Sequence, residues 1–175
     1  MDSLGDHFLG CPASGMSKRH NRIRDTFYQL GKQAGWAPEL EVAIPGHRDR
    51  PADILLRSGF PKPLALDVTI THPLRVSAPA AARGAAAVSA EGAEHSKRFA
   101  QATPCHEVGW SFRAVGFDTT GGLGPGAQKA VRQLYRQLSM RQGKSSTAVA
   151  DEVARLFSLS LAKGRGEMLA ASCPS

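Results

Sequence analysis

Cysteine is scarce: Cys11, Cys105 and Cys173 are the only three in 175 residues, and they lie far apart. An odd number at such spacing argues against a disulfide framework and makes a reducing compartment the expectation. Long apolar runs are missing too, since no stretch approaches the roughly 20 residues that a membrane span requires. Residues 1–11 have neither a basic start nor a continuous apolar core, so no secretory signal is expected. The expected location is nuclear or cytoplasmic, neither secreted nor in a membrane. Acidic residues are also in deficit, 15 Asp plus Glu against 22 Lys plus Arg, for a formal net charge of +7.

What is present fits a globular chain, 42% hydrophobic and 21% charged. At this length a single core buries roughly 70% of the surface of the unfolded chain, so neither metal nor disulfide is needed merely to fold. The excess of positive charge lies at the flanks. Lys18, Arg19, Arg22, Arg24 and Lys32 face only Asp25 in residues 18–36, and residues 127–175 hold eight basic and three acidic side chains. Residues 37–126 balance at nine of each. Basic flanks suit a polyanionic partner, DNA or RNA.

Periodicity gives the elements. Ile23, Phe27, Leu30 and Ala34 form one helical stripe, closed by Gly35. Residues 39–44 alternate as a half-buried strand, 52–56 is a short apolar run, and 64–71, β-branched at its end, is the strongest strand. The short turns between them predict an antiparallel meander. An Ala-rich loop leads into a helix around 90–102, a fourth strand spans 110–117, and two amphipathic helices follow Gly121-Gly122. The class is α/β or α+β, with a central mixed four-stranded sheet flanked by helices and a C-terminal helical pair.

Two aspartates stand out: Asp53 in Arg50-Pro51-Ala52-Asp53, and Asp67 in Leu66-Asp67-Val68-Thr69. Each sits in an apolar strand, where a lone carboxylate is costly. If these strands pair as a hairpin, the carboxylates converge and form a site for a hard divalent cation, Mg²⁺ or Mn²⁺. The alternative is that each pairs with an arginine, with Arg50 and Arg57 at hand.

These residues, with an acidic strand before them and a lysine after, make the chain resemble the PD-(D/E)XK superfamily of restriction-enzyme-like nucleases. More closely, it resembles the endonuclease region of non-LTR retrotransposon reverse transcriptase polyproteins and their genomic relatives. The matching pieces, in order, are Gly5-Asp6-His7-Phe8-Leu9-Gly10-Cys11, Arg19-His20-Asn21, Arg50-Pro51-Ala52-Asp53 and Leu66-Asp67-Val68-Thr69. This resemblance implies three regions: a remnant of a zinc-binding segment over 1–19, a nuclease-like core over 20–125 and a helical extension over 126–175. It implies metal-dependent hydrolysis of DNA phosphodiester bonds, with Asp53 and Asp67 as metal ligands and Glu41 as a further acid. The usual lysine position, two residues past the second acid, is Thr69, which points to inactivity unless the lysine has migrated. Lys97 fits the migrated position found in such relatives, with Arg98 or an ordinary surface lysine as the alternatives. Arg19, Arg22, Arg24, Arg50, Arg132 and Arg136 would contact nucleic acid. His7, Cys11 and His20 would be part of a zinc site that lacks the family's upstream cysteine pair, so zinc is absent or weakly held, or these residues are unligated. The chain would then be a fragment of a longer polyprotein or a decayed copy, and an inactive nucleic-acid-binding module is the competing function.

Other signals are weaker. Gly143-Lys144-Ser145 lacks the glycine that a P-loop needs, which is Leu138 here. His72 reads as a strand end, and Cys105-His106 is too isolated for a protease dyad.

Overall fold

A computed structural model describes residues 16–46, 52–72 and 88–172, apart from the side chains of Met16 and of residues 168–172. The order is α1 (Met16–Gln33), β1 (Pro38–Leu40), β2 (Ile54–Leu56), β3 (Leu64–Thr71), α2 (Val88–Glu107), β4 (Ser111–Asp118), α3 (Pro125–Gln142) and α4 (Ser146–Ser172). The chain is mixed α/β. Among the described residues four strands form one sheet in the order β1-β2-β3-β4. The first three are antiparallel neighbours, as the short turns predict. β4 runs parallel to β3, because the connection between them passes through α2.

Side chains alternate across a strand, and this sorts the sheet into two cores. Leu64, Leu66 and Val68 join Ile54, Leu56, Val115 and Phe117 on one face, packed under α1, α3 and α4. The predicted stripe Ile23, Phe27, Leu30 and Ala34 is fully enclosed there, and so are Leu134 and Leu138 of α3 and Val149, Val153, Phe157 and Leu161 of α4. On the other face Ala65 and Leu55 meet Cys105, Trp110, Ile44 and Ala52. Asp67 shares the parity of Ala65, which directs it to this second face, the α2 side.

Several boundaries differ from those expected: the first helix begins at Met16 rather than His20, and the strand within 52–56 covers only Ile54–Leu56. The strand expected over 39–44 ends at Leu40, because Glu41 takes a left-handed backbone, φ 51°. Ile44 and Val42 keep their alternation by packing into the α2-side core from outside the sheet. The helix expected around 90–102 extends over Val88–Glu107 and contains Pro104, whose missing N–H costs one helical bond but does not stop the helix. The strand expected over 110–117 is shifted one residue to Ser111–Asp118. Gly143, in the Gly143-Lys144-Ser145 segment, closes α3 in the left-handed conformation, φ 64°.

Candidate active site

The β2–β3 register pairs Ile54 with Leu66. One step further along the hairpin, Asp53 and Asp67 face each other. The ladder stops there because the Asp53 side chain takes over a backbone bond: the Val68 N–H donates to Asp53 Oδ2 at 2.6 Å. Asp53 Oδ1 meets His20 Nε2 of α1 at 3.0 Å. Asp67 is only 5% exposed, and its Oδ2 lies 3.1 Å from the Lys97 ammonium of α2. The two carboxyl groups are within hydrogen-bonding reach of each other. Four titratable side chains from α1, the β2–β3 hairpin and α2 thus form one row: His20, Asp53, Asp67, Lys97.

Their surroundings separate the two acids. Burial, with the adjacent Asp53 charge and hydrogen bond, pushes Asp67 up to about 6 even though Lys97 pulls the other way. Burial also acts on Asp53, but the His20 ring, the Val68 amide and the more distant Lys97 outweigh it, and Asp53 is held below the usual carboxylate range. A cavity of about 270 Å³ opens beside the row, lined by His20, Arg19, Thr69, Ile70 and Lys97 among others.

Of the two basic candidates for the lysine's role, Lys97 is the one turned to the acids, while Arg98 is exposed. Thr69, at the usual lysine position, lines the cavity. Glu41 donates its backbone N–H to the Asp53 carbonyl at 3.0 Å, which keeps it near the pair, but its carboxylate is engaged by Arg24 at 2.9 Å. Arg57, the alternative partner for an aspartate, instead makes a two-pronged pair with Glu39.

His20, assigned to zinc by resemblance, turns its ring to Asp53. Its place in the row is a feature that sequence spacing does not reveal, because 33 residues separate the two. His7, Cys11 and Arg50 lie outside the described residues.

Among the basic side chains expected to bind nucleic acid, Arg19 is buried and packs closely against Gly164 of α4. Arg22 pairs with Glu167, and Arg24 with Asp25 and Glu41. Arg132 and Arg136 are exposed and, with Lys129, line a groove of about 420 Å³ along α3.

Cys105 is packed in the core behind Asp67. Burial and that negative charge push its thiol up to about 11, which removes it as a nucleophile.

No family model, no curated protein and no solved structure matches this chain. Among the described residues no helix is long and apolar enough to cross a membrane.

Proposed function

We propose that this chain is a metal-dependent endonuclease domain of the PD-(D/E)XK kind, hydrolysing DNA phosphodiester bonds and derived from a non-LTR retroelement polyprotein. The observation that carries the reading is the meeting of the Asp53 and Asp67 carboxyl groups with the Lys97 ammonium 3.1 Å from Asp67. Two neighbouring carboxylates repel, and a pair this enclosed needs a proton or a cation to coexist. Mg²⁺ and Mn²⁺ are commonly held by one or two carboxylates with water and substrate phosphate completing the shell. When bound, such an ion lowers the pKa of a water and polarises the phosphoryl oxygen. Asp53 and Asp67 would hold it. Lys97 would orient the attacking water and offset the charge that develops on phosphorus oxygens. His20 keeps Asp53 ionised, and the exposed Arg132 and Arg136 supply phosphate contacts that add affinity without reading sequence.

A second reading, a nucleic-acid-binding module without cleavage, is favoured by Thr69 at the usual lysine position and by the hold of Arg24 on Glu41. A plasmid assay separates the two. Supercoiled DNA with Mg²⁺ or Mn²⁺ should be nicked by the wild-type protein and spared in EDTA and by the Asp67→Ala and Lys97→Ala variants. Retention of DNA without nicking would establish the binding module instead.

A further inference from the structure

Two buried acids among the described residues lie outside the row of four: Asp118, which accepts from the Thr120 and Gly122 amides of its own turn, and Glu94. Glu94, on α2, is 1% exposed. Backbone amides occupy both its oxygens: Oε1 accepts from Gly116 of β4 at 2.7 Å and from Ala127 of α3 at 2.9 Å, and Oε2 accepts from Gly126 of α3 at 2.8 Å. Three glycines clear the space it fills. A Cβ would come within 2.5 Å of Glu94 Oε1 if added at Gly124, within 2.8 Å of its Cγ at Gly116 and within 3.1 Å of its Cδ at Gly126.

The socket is built for an anion, with two of the three donors in the first turn of α3, where the helix dipole also favours negative charge. A glutamine in its place would offer one acceptor oxygen and set an NH₂ against an N–H donor. The socket is tied to the candidate active site through the sheet. β4 pairs Gly116 with Thr69 and Ala114 with Asp67, and Lys97 follows Glu94 by three positions, one turn along α2, on a neighbouring face.

We propose that Glu94 is a positioning residue: by clamping α2 to β4 and to the start of α3 it sets the roll and depth of that helix, and thereby holds the Lys97 ammonium against Asp67. The consequence for catalysis rests on the endonuclease reading; the placement of Lys97 does not.

Two measurements test it. In nicking kinetics on folded protein, Glu94→Gln should lower kcat about 10- to 100-fold with KM changed less than about twofold. An unchanged kcat would show a helix cap that acts on stability alone and would overturn the proposal.

The second measurement needs no activity. The coupling between Lys97 and Asp67, from a urea double-mutant cycle, should shrink when Glu94→Gln is added; an unchanged coupling would overturn the proposal. If the wild-type protein cuts no DNA and the coupling still shrinks, the endonuclease reading fails while the positioning role stands. Should Glu94→Gln not fold, Gly124→Ala crowds the carboxylate from outside and is expected to lower kcat and shrink the Lys97–Asp67 coupling in the same way.

Discussion

A carboxylate enclosed by protein with a second carboxylate beside it is destabilised when ionised, and Asp67 is in that position. Its pKa rises from 3.8 to about 6 on folding, so between those values the native state binds more protons than the unfolded chain. Its contribution to stability therefore falls as pH rises from about 4 to about 6 and stays lost above that. Asp53 acts in the opposite sense and at lower pH: it stabilises above its unfolded pKa, and that gain disappears as pH falls through its depressed folded pKa. Asp67→Asn should accordingly raise the urea stability of the metal-free protein at pH 7.5 by about 1–3 kcal/mol and flatten its slope between pH 4 and 6. It should also abolish nicking. Lys97 is 42% exposed and can return to water when its partner is neutralised, so little of that gain is offset. Millimolar Mg²⁺ should raise the melting temperature of the wild-type protein and not that of Asp67→Asn, because only the wild type keeps both carboxylates for the ion. At this scale Asp53 and Asp67 were legible in the chain and Lys97 followed only from the resemblance, whereas the roles of His20 and Glu94 were not legible. Their partners are backbone amides or side chains 22 to 33 residues away, and no local pattern encodes those meetings.

Among the elements, α2 makes the strictest demands. Where it crosses β4, Gly116 lies so close to the Ala90 carbonyl that an added Cβ would sit 2.5 Å from its oxygen, and at Gly126 of α3 the Ala114 carbonyl oxygen would be 2.1 Å away. Both neighbours are backbone, so relief requires the elements to separate. Gly126→Ala should cost more than about 2 kcal/mol by chemical denaturation. Gly92, also in α2, has open space around its missing Cβ, and Gly92→Ala should stabilise by about 0.5–1 kcal/mol. β1 shows why alternation alone overestimates a strand. Val42 and Ile44 are apolar at the right spacing because they are needed in the core, yet the backbone leaves the sheet at Glu41. Burial requires a side to face inward, and a loop lying on the core satisfies that as well as a paired strand does. β3 covers the residues expected because β4 pairs with its whole length and β2 with its first three residues, which favours apolar and β-branched side chains at most positions.

On the scale of the whole molecule, the C-terminal helices share a core with the rest of the chain. Phe157 of α4 lies 4.6 Å from Phe27 of α1 and 5.5 Å from Phe117 of β4, measured between ring centres. Phe157→Ala should cost about 3–5 kcal/mol, and circular dichroism and tryptophan fluorescence should report one coincident unfolding transition rather than two. Composition and periodicity by themselves determined the mixed α/β class, the helical stripes, the antiparallel meander and the two aspartates, because each follows from local rules of burial and turn chemistry. Tertiary structure alone decided which face of the sheet Asp67 occupies, which cation reaches it, that His20 supports Asp53 and that Glu94 anchors α2. Those outcomes depend on the register of β2 against β3 and on how deeply α2 sits on β4, quantities set by packing between distant segments.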